Sequence, residues 1–184
     1  MIQNLNALKL RLKNLRRENS DHRWFIPLLA LREVLLEDII RKALQDTGIK
    51  SYYLDEMANH ILPDGVKIFA ILVLTDQAAL TSKFIEEGEF HDQRLPFSLN
   101  ILGKQLSLPS AKDFYEKQWE LTAPTFYRGT IHKSLNDRSI LPFTKDKRIG
   151  NGAFGTVYEI KLDQSHQQLN GLFQDRVQGY SLLY

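Results

Sequence analysis

The chain has 184 residues, with 24 Lys plus Arg against 22 Asp plus Glu and no cysteine, which is enough polypeptide for one sound core but not for a complete large enzyme. A formal charge of +2 excludes the strongly basic class, so neither an obligate nucleic-acid binder nor a polybasic membrane anchor is expected, and 43% hydrophobic content excludes wholesale disorder. Without cysteine there is no disulfide framework, thiolate zinc site, iron–sulfur cluster or cysteine nucleophile.

The stretch from Met1 to Ser20 mixes Leu with Lys and Arg and lacks the apolar centre of a secretory signal. The longest apolar run, Ile68 to Leu74, falls far below the ~18 residues that a membrane span needs. These features imply no membrane partner and a cytoplasmic location, or a nuclear one. Leu5, Leu8, Leu12 and Leu15 recur at 3-4-3 spacing, with Lys9, Arg11, Lys13, Arg16 and Arg17 between them. That spacing predicts an amphipathic helix. Two heptads are too few to specify a coiled coil, so the simpler reading is a surface helix packed on its own domain, with a partner-binding helix as the alternative.

From Pro27, the stripe Leu28, Leu31, Val34, Leu35, Ile39, Ile40 and Leu44 predicts one core helix, with Pro27 in its first turn and Gly48 just beyond its end. Ser51 is placed to cap a third helix through Tyr52, Tyr53, Met57 and Ile61, with Asp55 and Glu56 near its positive end. Pro63-Asp64-Gly65 reads as a turn. Periodicity leaves Ile68 to Leu74 open between a buried strand and a buried helix; helix is preferred. Asp76 to Glu87 carries Leu80, Phe84 and Ile85 at helical spacing and stops at Gly88. Residues 88–109 read as loop, broken by a short helix around Phe97 to Leu102. Ser110 is expected to cap a helix through Phe114, Tyr115, Trp119 and Leu121 that ends before Pro124. Past Pro124 the helical period is lost. The expected fold class is therefore mainly α (α+β), with a helical domain over residues 1–125, a linker over 126–140 and a distinct segment over 141–184.

That last segment contains Ile149-Gly150-Asn151-Gly152-Ala153-Phe154-Gly155-Thr156-Val157-Tyr158. Glycines at this spacing let backbone amides approach a phosphate chain, because no side chain stands between the main chain and the anion. The flanks distinguish the motif's uses. A dinucleotide-binding turn needs a buried strand before the glycines and a helix after them. Here the lead-in, Phe143 to Ile149, is charged, and the exit, Thr156 to Leu162, is β-branched and aromatic with period two, which predicts strand-turn-strand. Asp175 lies 20 residues beyond Gly155, where a ribose-binding acid would stand, but no helix intervenes. The alternative to a phosphate loop is an ordinary hairpin whose glycines serve only its turn.

This segment closely resembles the G-x-G-x-x-G-x-V signature of the eukaryotic serine/threonine protein kinases. Ile149 matches the aliphatic position before the first glycine, Phe154 the aromatic at the loop tip, and Val157 the position that packs on adenine. The resemblance implies an ATP site formed by Ile149, Gly150, Asn151, Gly152, Ala153, Phe154, Gly155, Thr156 and Val157, with the backbone of residues 152–155 over the phosphates, and magnesium accompanying ATP in an intact kinase. The helical part is similar to N-terminal extensions of filamentous-fungal kinase-domain proteins in Lys67 to Leu74, Lys83-Phe84-Ile85-Glu86, Phe114 to Trp119 and Ile140-Leu141-Pro142-Phe143, a frame over residues 60–162. By this likeness residues 141–184 are the truncated start of a kinase domain, and the hairpin is the first of a five-stranded N-lobe.

The chain departs from the family after the loop. Lys161 is the only lysine beyond Val157 and lies inside the second strand, not on a third; neither H-R-D nor D-F-G occurs; and 29 residues follow Gly155. No catalytic residue is assigned, and the chain is expected to bind ATP weakly if at all and to transfer no phosphoryl group alone. A protein partner for the helical domain is the other expectation. Two strands alone are marginal in water, so the segment after about residue 141 should be poorly ordered or lean on the helical domain. His22, His60, His91, His132 and His166 lie at least 31 residues apart, which gives no local metal-ligand pair. Glu86, Glu87 and Glu89 read as a solvated helix end. Tyr52-Tyr53, Trp24-Phe25 and Trp119 read as core or domain-packing aromatics, since no basic stripe accompanies them.

Overall fold

The computed structural model describes residues 3–88, 91–127, 135–152, 155–168 and 180–183. Helix α1 spans Gln3–Asn14. Its Leu8 and Leu12 are buried in the main core, with Leu5 and Leu15 packed against it, so the leucine stripe docks on its own domain. The Asp46 carboxylate accepts from the backbone N–H groups of Asn4 and Leu5 at 2.6 and 3.0 Å, satisfying donors that the first turn leaves free. A short antiparallel pair follows, β1 (Arg17–Glu18) with β2 (Trp24–Phe25).

The single helix expected from Pro27 is two, α2 (Leu28–Val34) and α3 (Glu37–Gln45). Leu35 closes α2 by donating its N–H to Leu31 O at 2.9 Å. Leu36 then turns extended, and Glu37 and Asp38 occupy the first turn of α3, where the helix dipole favours acids. The break lets Leu31, Leu35, Ile40, Ala43 and Leu44 all reach the core. Pro27 stands at the N-cap position and not inside the first turn. Gly48 has φ +84°, the left-handed conformation that glycine supplies past a helix end.

Ser51 lies inside a 3-10 turn, Ser51–Tyr53, and caps nothing; α4 (Leu54–Asp64) grows out of that turn. Tyr52 and Tyr53 consequently rest on each other, with ring centroids 4.2 Å apart, and are 66% and 48% exposed; Trp24 is 47% exposed. These three are surface aromatics, contrary to expectation, whereas Phe25 and Trp119 are buried. Pro63 and Asp64 belong to the last turn of α4, and the chain changes direction at Gly65, where α5 (Val66–Leu74) leaves at 110°. Every α5 residue except Lys67 is buried, which settles the strand-or-helix ambiguity in favour of a central helix. Gly65 has no side chain to cap it. Asp92, 25 residues beyond Lys67, does so, accepting from Lys67 N–H at 3.0 Å and Ile68 N–H at 3.1 Å. Among the described residues no single helix is long and apolar enough to cross a membrane.

A 3-10 turn at Ala78–Leu80 leads into α6 (Thr81–Glu86), and Gly88, at φ +68°, follows its end. Glu86 and Glu87 are exposed there; Glu89 lies outside the described residues. Helix α7 spans Leu99–Gln105 and α8 spans Leu108–Leu121, whose N-cap is Ser107 and not Ser110, with Pro109 in the first turn. Phe114 of α8 stacks on Phe84 at 5.7 Å and meets Phe97 at 6.1 Å. Gln118, fully buried, accepts from Phe97 N–H at 2.7 Å and donates to Phe97 O at 2.9 Å. Both backbone groups of a buried loop residue are thereby satisfied.

The remaining elements are strands: β3 (Phe126–Tyr127), β4 (Phe143–Gly152), β5 (Gly155–Leu162), β6 (Gln167–Gln168) and β7 (Tyr180–Leu183). β3 and β6 pair in parallel, and β4, β5 and β7 form an antiparallel sheet with β5 in the middle. A helical body with small strand pairs is the α+β composition that the sequence implied. The third strand was not legible in the glutamine-rich tail, and it contains no lysine.

Candidate functional site

The glycine-rich segment is an antiparallel hairpin. Gly152 stands opposite Gly155, Asn151 opposite Thr156 and Gly150 opposite Val157, after which Arg148 opposes Tyr158, Lys147 opposes Glu159 and Lys145 opposes Lys161. Of the nine residues expected at an ATP site, Gly150, Asn151 and Gly152 end β4, and Gly155, Thr156 and Val157 begin β5. Ala153 and Phe154 lie outside the described residues.

Ile149 is the extra residue of a β-bulge, because the register shifts between Arg148 and Gly150. In a bulge of this kind two residues oppose one. Here Ile149 and Gly150 together face Val157. Opposed residues share a sheet face and alternate residues return to it, so Lys145, Lys147, Ile149, Val157, Glu159 and Lys161 stand on one face. Ile149 is 55% exposed, and a Cβ placed on Gly150 would meet nothing within 4 Å. The missing side chain leaves an open slot between an isoleucine and a valine, an apolar shelf that suits a flat ring.

The opposite face is braced. Arg148 Nη2 and Thr156 Oγ1, the latter at 3.3 Å, both donate to Asn151 Oδ1, and Ile160 is buried. A second bulge at Thr144, between Phe143 and Lys145, returns the buried Phe143 to that inner face, where it meets Phe126 at 6.0 Å.

The foot of the hairpin is tied to the helical body. Ser20 N–H donates to Phe143 O at 2.7 Å, and Asn19 Nδ2 donates to Leu141 O at 3.0 Å. Asp163, just past β5, is buried and accepts from Arg17 Nη1 at 2.5 Å and from Ser165 N–H at 2.9 Å. Burial alone would push its pKa up, but the Ser165 and Arg17 donors outweigh that and hold the carboxyl below its ordinary value. So the segment leans on the helical part through its base while Lys145, Lys147, Ile149, Glu159 and Lys161 on its outer face stay exposed.

His166 completes this junction. It is buried, lies edge-on to Phe25 at 5.3 Å, and places Nδ1 3.2 Å from Pro124 O. A carbonyl only accepts, so Nδ1 carries the proton of the neutral ring; Nε2 has no partner. Burial pushes the imidazole below the ordinary histidine value, opposed by the Pro124 bond and the Asp163 charge, while Lys67 and Arg17 add to the lowering. The unfolded chain therefore protonates first as pH falls, and stability is lost as pH drops through the ordinary value. Protection factors of the amides at residues 163–168, taken against the intrinsic exchange rate at each pH, should fall from about pH 7 to about pH 5, and His166→Phe should flatten that response; equal profiles for both proteins would contradict it.

Elsewhere a groove of about 180 Å³ between α1 and α3 is lined by Asn4, Ala7, Leu8, Arg11, Ile39 and Lys42. Among the described residues no group of three or more His, Asp or Glu is placed to hold a metal ion. Asp163 and His166 were not singled out from the sequence, since only the fold brings them against Arg17, Phe25 and Pro124. No family model, no curated protein and no solved structure matches the chain.

Proposed function

We propose that the chain is the front part of a serine/threonine-kinase-like protein and that the hairpin at Ile149 to Val157 binds ATP. The observation that carries this reading is the bulge at Ile149, which sets Ile149 beside Val157 on an open face with only Gly150 between them. An adenine ring would stack on that shelf, and backbone amides next to glycines would be free to approach phosphates.

Transfer chemistry does not follow. The strand lysine, the catalytic-loop aspartate and the D-F-G aspartate that hold ATP and magnesium in a kinase have no counterparts in this sequence. Among the described residues no group of three or more acids or histidines is placed to hold magnesium. With radiolabelled ATP and a generic protein acceptor, no label should be transferred. Binding should be weak and abolished by either Ile149→Asp or Val157→Asp, each of which changes a residue outside the core; titration showing equal ATP affinity in both variants and in wild type would refute the site.

A second reading is a non-catalytic helical protein–protein interaction module that carries the hairpin as a kinase remnant. One observation favours it, the exposed Tyr52–Tyr53 pair on the turn before α4. Under that reading ATP leaves the hairpin unperturbed.

A further inference from the structure

The stretch that leads into β1 is basic without relief: residues 1–17 contain five cations, Lys9, Arg11, Lys13, Arg16 and Arg17, and no acid. Three of the five find carboxylates elsewhere in the fold. Lys9 pairs with Asp76 at 2.5 Å, Arg16 with Glu120 at 2.8 Å and Arg17 with Asp163 at 2.5 Å. Arg11 and Lys13 are exposed and make no ion pair or side-chain hydrogen bond among the described residues. The dipole at the end of α1 favours cations in its last turn, but it does not account for the surroundings of Arg11, which lines the groove between α1 and α3.

Helix α1 begins where α3 ends, with Asp46 at the C-cap of α3 holding the backbone of Asn4. The groove between them has Ala7, Leu8 and Ile39 as its apolar lining, one cation from each helix in Arg11 and Lys42, Asn4 beside them, and no carboxylate. Asp38, one turn from Lys42, meets it at 3.3 Å with both side chains more than half exposed, and such a surface pair contributes little. Two leucines extend the apolar surface into solvent: Leu10, one turn from Ala7, and Leu36, one turn from Ile39, each more than half exposed. The volume of about 180 Å³ lies just above the ~150 Å³ that holds a benzene ring and below the ~300 Å³ at which drug-sized ligand pockets begin. That is room for one leucine- or phenyl-sized side chain.

We propose that the groove between α1 and α3 docks an acidic amphipathic helix of a protein partner. One apolar side chain of that helix fills the space over Ala7, Leu8 and Ile39, its neighbours at helical spacing lie on Leu10 and Leu36, and its flanking carboxylates meet Arg11 and Lys42. Charge selects the occupant. The α1 helix of a second copy of this chain carries no acid and would set like charges against Arg11 and Lys42, whereas an acidic helix supplies the carboxylates that the groove lacks. The proposal rests on the part of the interaction-module reading that gives the helical body a protein partner, and it uses a different surface from the Tyr52–Tyr53 pair.

The test is titration of the full 184-residue chain at low salt with a labelled peptide of two Glu-Ala-Leu-Leu-Glu-Glu-Ala repeats, read by anisotropy and by backbone amide shifts. The acidic peptide should shift residues 4–11 and 39–42, and should bind at least about tenfold tighter than copies carrying Lys for every Glu or Ser for every Leu. The R11E/K42E double variant should reverse the charge preference, losing the acidic peptide by about tenfold or more and gaining the lysine copy, a gain that only a folded groove can give. Lys104→Glu, at an exposed lysine on α7, should leave acidic binding unchanged. Undiminished acidic binding in R11E/K42E, or an equal loss in Lys104→Glu, overturns the groove. Octanoate bound as tightly as the peptide overturns the helix as occupant and makes the groove a small-carboxylate site. Peptide shifts confined to Tyr52 and Tyr53 overturn the groove and keep the interaction-module reading. No response to any peptide overturns the groove, and ATP-dependent shifts at Ile149 and Val157 in those same samples remove the interaction-module reading with it.

Discussion

Phe114→Ala should destabilise the protein by about 3–5 kcal/mol. Phe114 is completely buried in the main core, where its ring stacks on Phe84 and meets Phe97. The substitution removes the transfer free energy of the ring and leaves a cavity between α6, α8 and the Phe97 loop. That loop cannot collapse freely into the space, because Gln118 holds Phe97 by both backbone groups. Against a typical total of about 5–15 kcal/mol, the loss is a large share. Urea denaturation checks it through a lowered midpoint at unchanged slope; a shift below about 1 kcal/mol would show that the three rings are not the continuous core described.

Asp163→Ala should cost about 2–4 kcal/mol and, unlike the core substitution, should act on the hairpin more than on the helices. The carboxylate is 2% exposed, while its partner Arg17 is 52% exposed. Arg17 can return to water, so its share is discounted. The Ser165 N–H and hydroxyl, bonded to the same carboxylate, have fewer substitutes. Because the Asp163 carboxyl is held below its ordinary value, its contribution is present above the unfolded pKa and is lost as pH falls through the folded one. Wild type and variant should therefore converge in strong acid. Hydrogen exchange should report lost protection along β5 at neutral pH, with Asp163→Asn recovering part of it through the Ser165 bond; unchanged β5 protection in Asp163→Ala would separate the hairpin from this junction.

How much of this was legible in the sequence depended on whether the deciding contact was local. The α1 stripe, the buried α5 and the aromatic face of α8 could be read because period and burial coincide within one segment. The break at Leu35 and Leu36 could not, since an apolar run continues across it; the adjacent acids Glu37 and Asp38 were the available signal for a new helix start. Ser51 and Ser110 were misplaced as caps because the same residue types also occupy turns and first helical turns. The hairpin was readable from its glycines and period-two exit. Its register was not: the facing of Lys145 with Lys161, and of Ile149 and Gly150 with Val157, is set by bulges that no spacing rule shows. Asp92, His166 and, through Arg17, Asp163 act on partners 24 or more residues away, beyond the range of any window.

The two bulges also decide where this hairpin can change length. Omitting Thr144 would bring Phe143 next to Lys145 and leave every other cross-strand partner in place, because Phe143 already faces Leu162 and Lys145 already faces Lys161. Omitting Ile149 would spare the ladder in the same way but delete the shelf. In sequences descended from a common ancestor, a gap at the first position is therefore compatible with an intact outer face, and a gap at the second with a hairpin that keeps its ladder and loses the isoleucine–valine shelf.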